Sequence, residues 1–153
     1  MSSAELGFWA LFVRKKQVLI PTMARTEAGF YLAIEPISVI DPHDRQSIRS
    51  ALLEVIQKGN PTVPTPSRAN YPPDPLLKHA NVKTASAFER SSRRWKIAQY
   101  ATGYGVATYR PGKYGGSEED ETTRQTFSLD EPVESVVDHL LERALGASHR
   151  LNR

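Results

Sequence analysis

An α+β fold, with a largely antiparallel sheet of about five to six strands packed against two main helices, is what the order of apolar patterns in this chain predicts. Three observations carry that expectation. Stretches rich in β-branched and aromatic residues recur at Phe8–Ile40 and from Trp95 to Phe127. Each is followed by one helical apolar stripe, and a proline-rich piece separates the two halves. A chain of 153 residues buries about two-thirds of its unfolded surface, so residues 1–153 read as one domain with a Pro-rich connector at 60–75.

Phe8–Val13 reads as a first strand, closed by Arg14-Lys15-Lys16. Val18–Met23 is a second, held to an edge or a bulge by Pro21, which has no N–H for a ladder. The Arg25–Gly29 piece supplies a turn, and Phe30–Ile40 alternates as a third strand interrupted near Pro36. Asp41-Pro42 then offers an N-cap followed by proline at the first helical position, with Asp44 where the helix dipole favours an anion. Ile48, Ala51, Leu52, Val55 and Ile56 form one stripe, and Gly59 before Pro61 ends the helix.

Pro61, Pro64, Pro66, Pro72, Pro73 and Pro75 forbid regular structure and favour an extended surface crossover, the alternative being a ligand for proline-binding domains. Short helical turns are expected at Pro75–His79 and Thr84–Arg90, the latter capped by Thr84. Trp95–Tyr100, Gly103-Tyr104-Gly105 and Val106–Tyr109 form a hairpin, followed by a flexible glycine-rich and acidic loop and a last strand at Arg124–Phe127. The closing helix has Asp130 or Ser128 as cap and Pro132 in its first turn. Its stripe is Val133, Val136, Val137, Leu140, Leu141 and Ala144, and Gly146 is its expected stop.

The search for chemistry points away from catalysis. The chain has no cysteine, which removes disulfides, thiolate metal sites and cysteine nucleophiles and suits a reducing compartment. The start of the chain, from Met1 to Leu6, has no basic region leading into an apolar stretch, and no window approaches a membrane span, so a soluble cytoplasmic protein is expected. His43, His79, His139 and His149 are not at metal-ligand spacing, His43 and His139 reading as surface residues. Glu134 and Asp138 lie one turn apart on a polar helix face, a solvated arrangement rather than a general acid and base. No nucleophile elbow or phosphate-cradling glycine loop is present, so the expectation is a non-enzyme with no metal, no cofactor and no small-molecule substrate.

With 20 Lys and Arg against 17 Asp and Glu, the net charge of +3 is too mild to imply a nucleic-acid partner. Its distribution is more telling. Arg90, Arg93, Arg94 and Lys96 with Trp95 and Tyr100 could bind a phosphate backbone and stack a base. Period-two alternation instead sends the Trp95 ring into the core, with Arg94 and Lys96 facing water. The candidate partner-binding residues are the acidic run Glu118, Glu119, Asp120 and Glu121 with the anchors Tyr104, Tyr109, Arg110 and Tyr114. Concentrated negative charge suits a cationic partner, and aromatic residues and arginine are typical interface anchors.

Asn81–Glu89, Trp95-Lys96-Ile97, Gly103-Tyr104-Gly105-Val106 and Phe127–Asp130 with Val133, Val136, Val137 and Leu140 together resemble immunity proteins of bacterial contact-dependent growth inhibition systems. The resemblance covers residues 76–145, about the second half of the chain. It implies a small cytosolic protein that binds and blocks a cognate toxin domain, commonly a nuclease, delivered by a neighbouring cell. The implied mechanism is occlusion, with acidic and aromatic side chains covering a basic active site. A nucleic-acid-binding module built on the basic cluster near Trp95 is the alternative.

Overall fold

The computed structural model describes residues 5–151, the last five by backbone course alone; Met1–Ala4, Asn152, Arg153 and the side chain of His149 lie outside it. Strands β1 (Gly7–Arg14), β2 (Val18–Thr26) and β3 (Tyr31–Ile40) lead into helix α1 (Arg45–Lys58). A short β4 (Thr62–Val63) and two short helices, α2 (Pro75–Ala80) and α3 (Ala85–Arg90), occupy the middle of the chain. Strands β5 (Ser92–Tyr100), β6 (Gly103–Pro111) and β7 (Ser117–Ser128) then precede α4 (Val133–Leu151). The sheet order is β3-β2-β1-β5-β6-β7, all antiparallel neighbours, with β4 added parallel to β2. The class is the expected α+β one.

The sheet is covered on both faces. Trp9, Leu11, Ile20, Trp95 and Ile97 project to one side and meet Ile48 and Leu52 of α1 and Val136, Val137, Leu140 and Leu141 of α4. On the other side Phe8, Ala10, Phe12, Leu19 and Met23 meet Leu76, Ala80 and Phe88 of α2 and α3. This explains why Gly7–Phe12 is buried at every position, a continuous run instead of an alternating one. Asp74 caps α2 by accepting from Leu76 N, and Thr84 caps α3 by accepting from Ala87 N, so these short helices have their own start signals.

Two boundaries move for local reasons, and the bulge expected at Pro21 is present. Helix α1 is capped by Asp44, which accepts from Ser47 N at 3.2 Å, because Asp41 is already engaged by the His43 N–H at 2.8 Å. Pro42 therefore lies in the preceding turn. Helix α4 runs through Gly146, which lacks the left-handed backbone of a helix-ending glycine and packs against Glu142. Pro21 sits in an interior strand, at the bulge that shifts the β2–β3 register around Glu35 and Pro36.

The sheet narrows sharply between β1 and β2. The ladder there consists of Phe12↔Leu19 and Val13↔Val18, whereas β1 and β5 pair from Gly7↔Gln99 to Arg14↔Ser92. Beyond Leu19 the two strands part, and Asn60 fills the gap. Its amide donates to Phe8 O at 2.8 Å and Met23 O at 2.9 Å, while its carbonyl accepts from Phe8 N at 3.1 Å. Asn60 thus satisfies backbone groups that a continuous ladder would have paired. The connector is more than a crossover, since β4 then joins β2 and Arg25 N donates to Pro61 O.

Candidate functional site

The acidic run is strand, not loop. β7 begins at Ser117 and pairs with β6 through Tyr109↔Glu119 and Arg110↔Glu118. The turn is confined to residues 112–116, where Gly115 and Gly116 take positive φ and Tyr114 stands 94% exposed. Asp and Glu are poor strand formers, and a run of them suggests a loop. Here the strand is the sheet's outer edge, where charge is tolerated and discourages edge-to-edge pairing.

Strand alternation also divides the carboxylates. Glu118 faces Arg110 across the ladder, with an ion pair at 3.4 Å. Asp120 accepts from Thr122 N at 3.1 Å and from its hydroxyl at 2.6 Å, and these bonds hold its carboxyl below the usual range. They secure a bulge in which Glu121–Arg124 lie opposite Ala107. Glu121 is exposed.

Glu119 turns to the opposite face and enters a buried ion network. Lys96 Nζ donates to Glu119 at 2.7 Å and to Glu5 at 2.8 Å, and Arg124 binds the other Glu119 oxygen. Lys96 does not face water; it is 6% exposed, because Glu5 and β7 close over it. Burial opposes the charge of Lys96, but the hydrogen bonds to Glu119 and Glu5 prevail and raise its pKa. Burial likewise opposes ionisation of Glu119, and the hydrogen bonds from Lys96 and Arg124 overcome it and lower its pKa. Tyr109 lies beside this network with Arg94 stacked 4.0 Å over its ring, and burial raises its hydroxyl pKa.

The residues singled out in the sequence therefore do not form one patch. Tyr104 packs with Phe127 against the core beneath α4. Tyr109 and Glu119 occupy the opposite face, with Glu119 largely consumed by Lys96 and Arg124. Arg110, Tyr114, Glu118 and Glu121 remain exposed, with Asp120 half-buried beside them, so the surface at the β6–β7 hairpin is narrower than its sequence implied.

Other candidates receive structural roles. Asp138 binds Arg49 at 2.7 Å and ties α4 to α1, and His139 is exposed with its ring 5.2 Å from that of Phe127. His79 meets Glu35 at 2.8 Å, and His43 is exposed beside Asp41. Among the described residues no group of His, Cys, Asp or Glu is placed to hold a metal, and no helix is long and apolar enough to cross a membrane.

The basic cluster is also divided. Trp95 enters the core as expected, while Arg90, Arg93 and Arg94 line a cleft of about 750 Å³ together with Tyr31, Tyr71 and Tyr109. Sequence reading identified the arginines but not the cleft. Tyr31 and Tyr71 come from β3 and the connector, and nothing local in the chain announces that they meet β5 and α3.

No family model and no characterised protein matches the sequence. Solved structures do match in fold. A protein of unknown function from Neisseria meningitidis superposes with a TM-score of 0.62 at 14% identity, covering 97% of this chain and 99% of that one. A chain of the CdiA-CT/CdiI toxin and immunity complex from Yersinia pseudotuberculosis superposes with a TM-score of 0.59 at 11% identity, covering 94% of this chain and 98% of that one. At such identities the likeness is one of fold.

Proposed function

We propose that this chain is an immunity protein that binds a cognate toxin domain, a nuclease, and neutralises it by occluding the active site. The observation that carries the reading is the near end-to-end fold match to a chain of a toxin and immunity complex. The resemblance of residues 76–145 to immunity proteins favours the inhibitor as the matching partner. A second support is the hairpin surface. Arg110, Tyr114, Glu118 and Glu121 place charge and one fully presented ring at the edge of the sheet.

An exposed acidic edge speeds encounter with a basic, phosphate-seeking site, and an aromatic anchor slows release. Occlusion requires nothing further from the inhibitor, because a covered active site excludes its substrate. The alternative of a nucleic-acid module loses its stacking ring to the core at Trp95 and one of its cations to the Lys96 network.

The test is to co-express the chain with the C-terminal domain of the protein encoded by the adjacent gene. A stable complex and loss of nuclease activity at equimolar inhibitor are expected. Undiminished toxin activity in excess inhibitor overturns the proposal.

A further inference from the structure

We propose that the cleft lined by β5, α3 and the proline-rich connector is a binding site for a small aromatic anion of mononucleotide size. The site adjoins the hairpin surface, sharing Arg110 with it at the rim, and it stands whether or not the chain inhibits a toxin. Its volume of about 750 Å³ falls among those of small-molecule sites.

The charge balance selects the ligand's sign. Arg90, Arg93, Arg94 and Arg110 line the cleft with Asp74 and Glu89. The Arg93 guanidinium, however, lies 5.7 Å over the Trp95 ring on the α1 and α4 face, which leaves Arg90 and Arg94 as the cleft's cations. Asp74 is already accepting from Leu76 N, and Arg110 is paired with Glu118. Among the described residues neither Arg90 nor Arg94 has a salt-bridge partner.

Arg94 is the centre of the site. Its guanidinium lies 4.0 Å over the Tyr109 ring and 5.5 Å from that of Phe12, so aromatic contacts fix its position. Its Nε is buried and has no hydrogen-bond partner, and the same is true of the Tyr31 hydroxyl on the same cleft. Trp9 Nε1, Arg14 Nε and Trp95 Nε1 are likewise unpaired away from the cleft, so it is the unpaired charge of Arg90 and Arg94 that points to an anion.

Ring-stacking surface completes the match. Tyr71 is 56% exposed while lining the same cleft, which leaves its face open to a planar group. An extended nucleic acid fits less well than a single anion. The cleft reaches Ser117, and a long polyanion leaving it there would run onto the acidic start of β7.

Isothermal titration of the full chain with AMP tests the site, with adenosine supplying the ring without charge and inorganic phosphate the charge without a ring. AMP is expected to bind at least about tenfold tighter than either. Arg94→Gln is expected to weaken AMP binding by about tenfold, and Arg90→Gln and Tyr71→Ala by about threefold or more, while Tyr114→Ala changes nothing. If Arg94→Gln does not fold, the exposed positions Arg90 and Tyr71 decide the question. The absence of AMP binding at millimolar concentration overturns the proposal. So does AMP binding no tighter than phosphate, or binding indifferent to the cleft variants.

Discussion

The two faces of the sheet solve the same burial problem with different chemistry. Under α1 and α4 the fully buried side chains are aliphatic apart from two tryptophans, and the helices are 14 and 19 residues long. Under α2 and α3 the helices have six residues each, and the face is built from phenylalanine, tyrosine, a stacked arginine and a buried lysine. A long amphipathic helix covers a sheet with apolar contact alone. Short helices leave part of the face to be covered otherwise, and here an ion network and a proline-rich segment do it. That incomplete cover is why the cleft lies on this side.

Truncation on the thick face gives the largest effect. Leu141→Ala removes a fully buried side chain and is expected to cost about 3–4 kcal/mol in urea unfolding. Leu76→Ala on the thin face should cost less, because a short helix can settle into the space. Equal losses would break the contrast between the faces.

Next comes the ion network. Lys96→Met leaves Glu119 with Arg124 alone and Glu5 with no cation, an expected loss of about 2–3 kcal/mol, discounted because Glu5 is partly exposed. The network also sets a pH response. Because Glu119 has a lowered pKa in the folded state, its contribution is full above the ordinary carboxylate range and is lost as pH falls through the lowered value. Lys96, with a raised pKa, keeps its contribution until pH climbs past the ordinary lysine range. Thermal melts of wild type and Glu119→Gln from about pH 7 to about pH 3 should therefore converge in acid. A constant difference would show that Glu119 acts by packing alone.

Asn60→Ala sharpens the comparison in another way, since it removes three hydrogen bonds to β1 and β2 without touching either core. It should cost about 2 kcal/mol, read from the unfolding midpoint. Tyr114→Ala is the smallest, within about 0.5 kcal/mol of wild-type stability. If the hairpin is the inhibitory surface, it weakens toxin inhibition nonetheless.

Sequence made the thick face legible because its signals are periodic and local. The stripes Ile48–Ile56 and Val133–Ala144 name both helices and the residues they bury. It also placed α3 through Thr84 and sent Trp95 into the core. It missed the acidic strand because four like charges suppress strand propensity, and only their place at the sheet edge permits them. It sent Lys96 to water because alternation specifies a face, not what covers that face. Glu5 and Glu119, which do the covering, lie 91 and 23 residues away in the chain. The hairpin residues were found by type, but their division between faces depended on the register, which a bulge after Asp120 resets.

The narrow β1–β2 junction makes the sheet two plates joined by a strap. One plate is β2, β3 and β4; the other is β1 with β5, β6 and β7. Two residue pairs, the Arg14–Gln17 turn and one asparagine side chain hydrogen-bond them together. The aromatic cleft straddles that seam, with Met23 and Tyr31 on one plate and Phe12, Arg94 and Tyr109 on the other. A molecule lodged there would act as a rivet across the seam, slowing amide exchange in both plates at once.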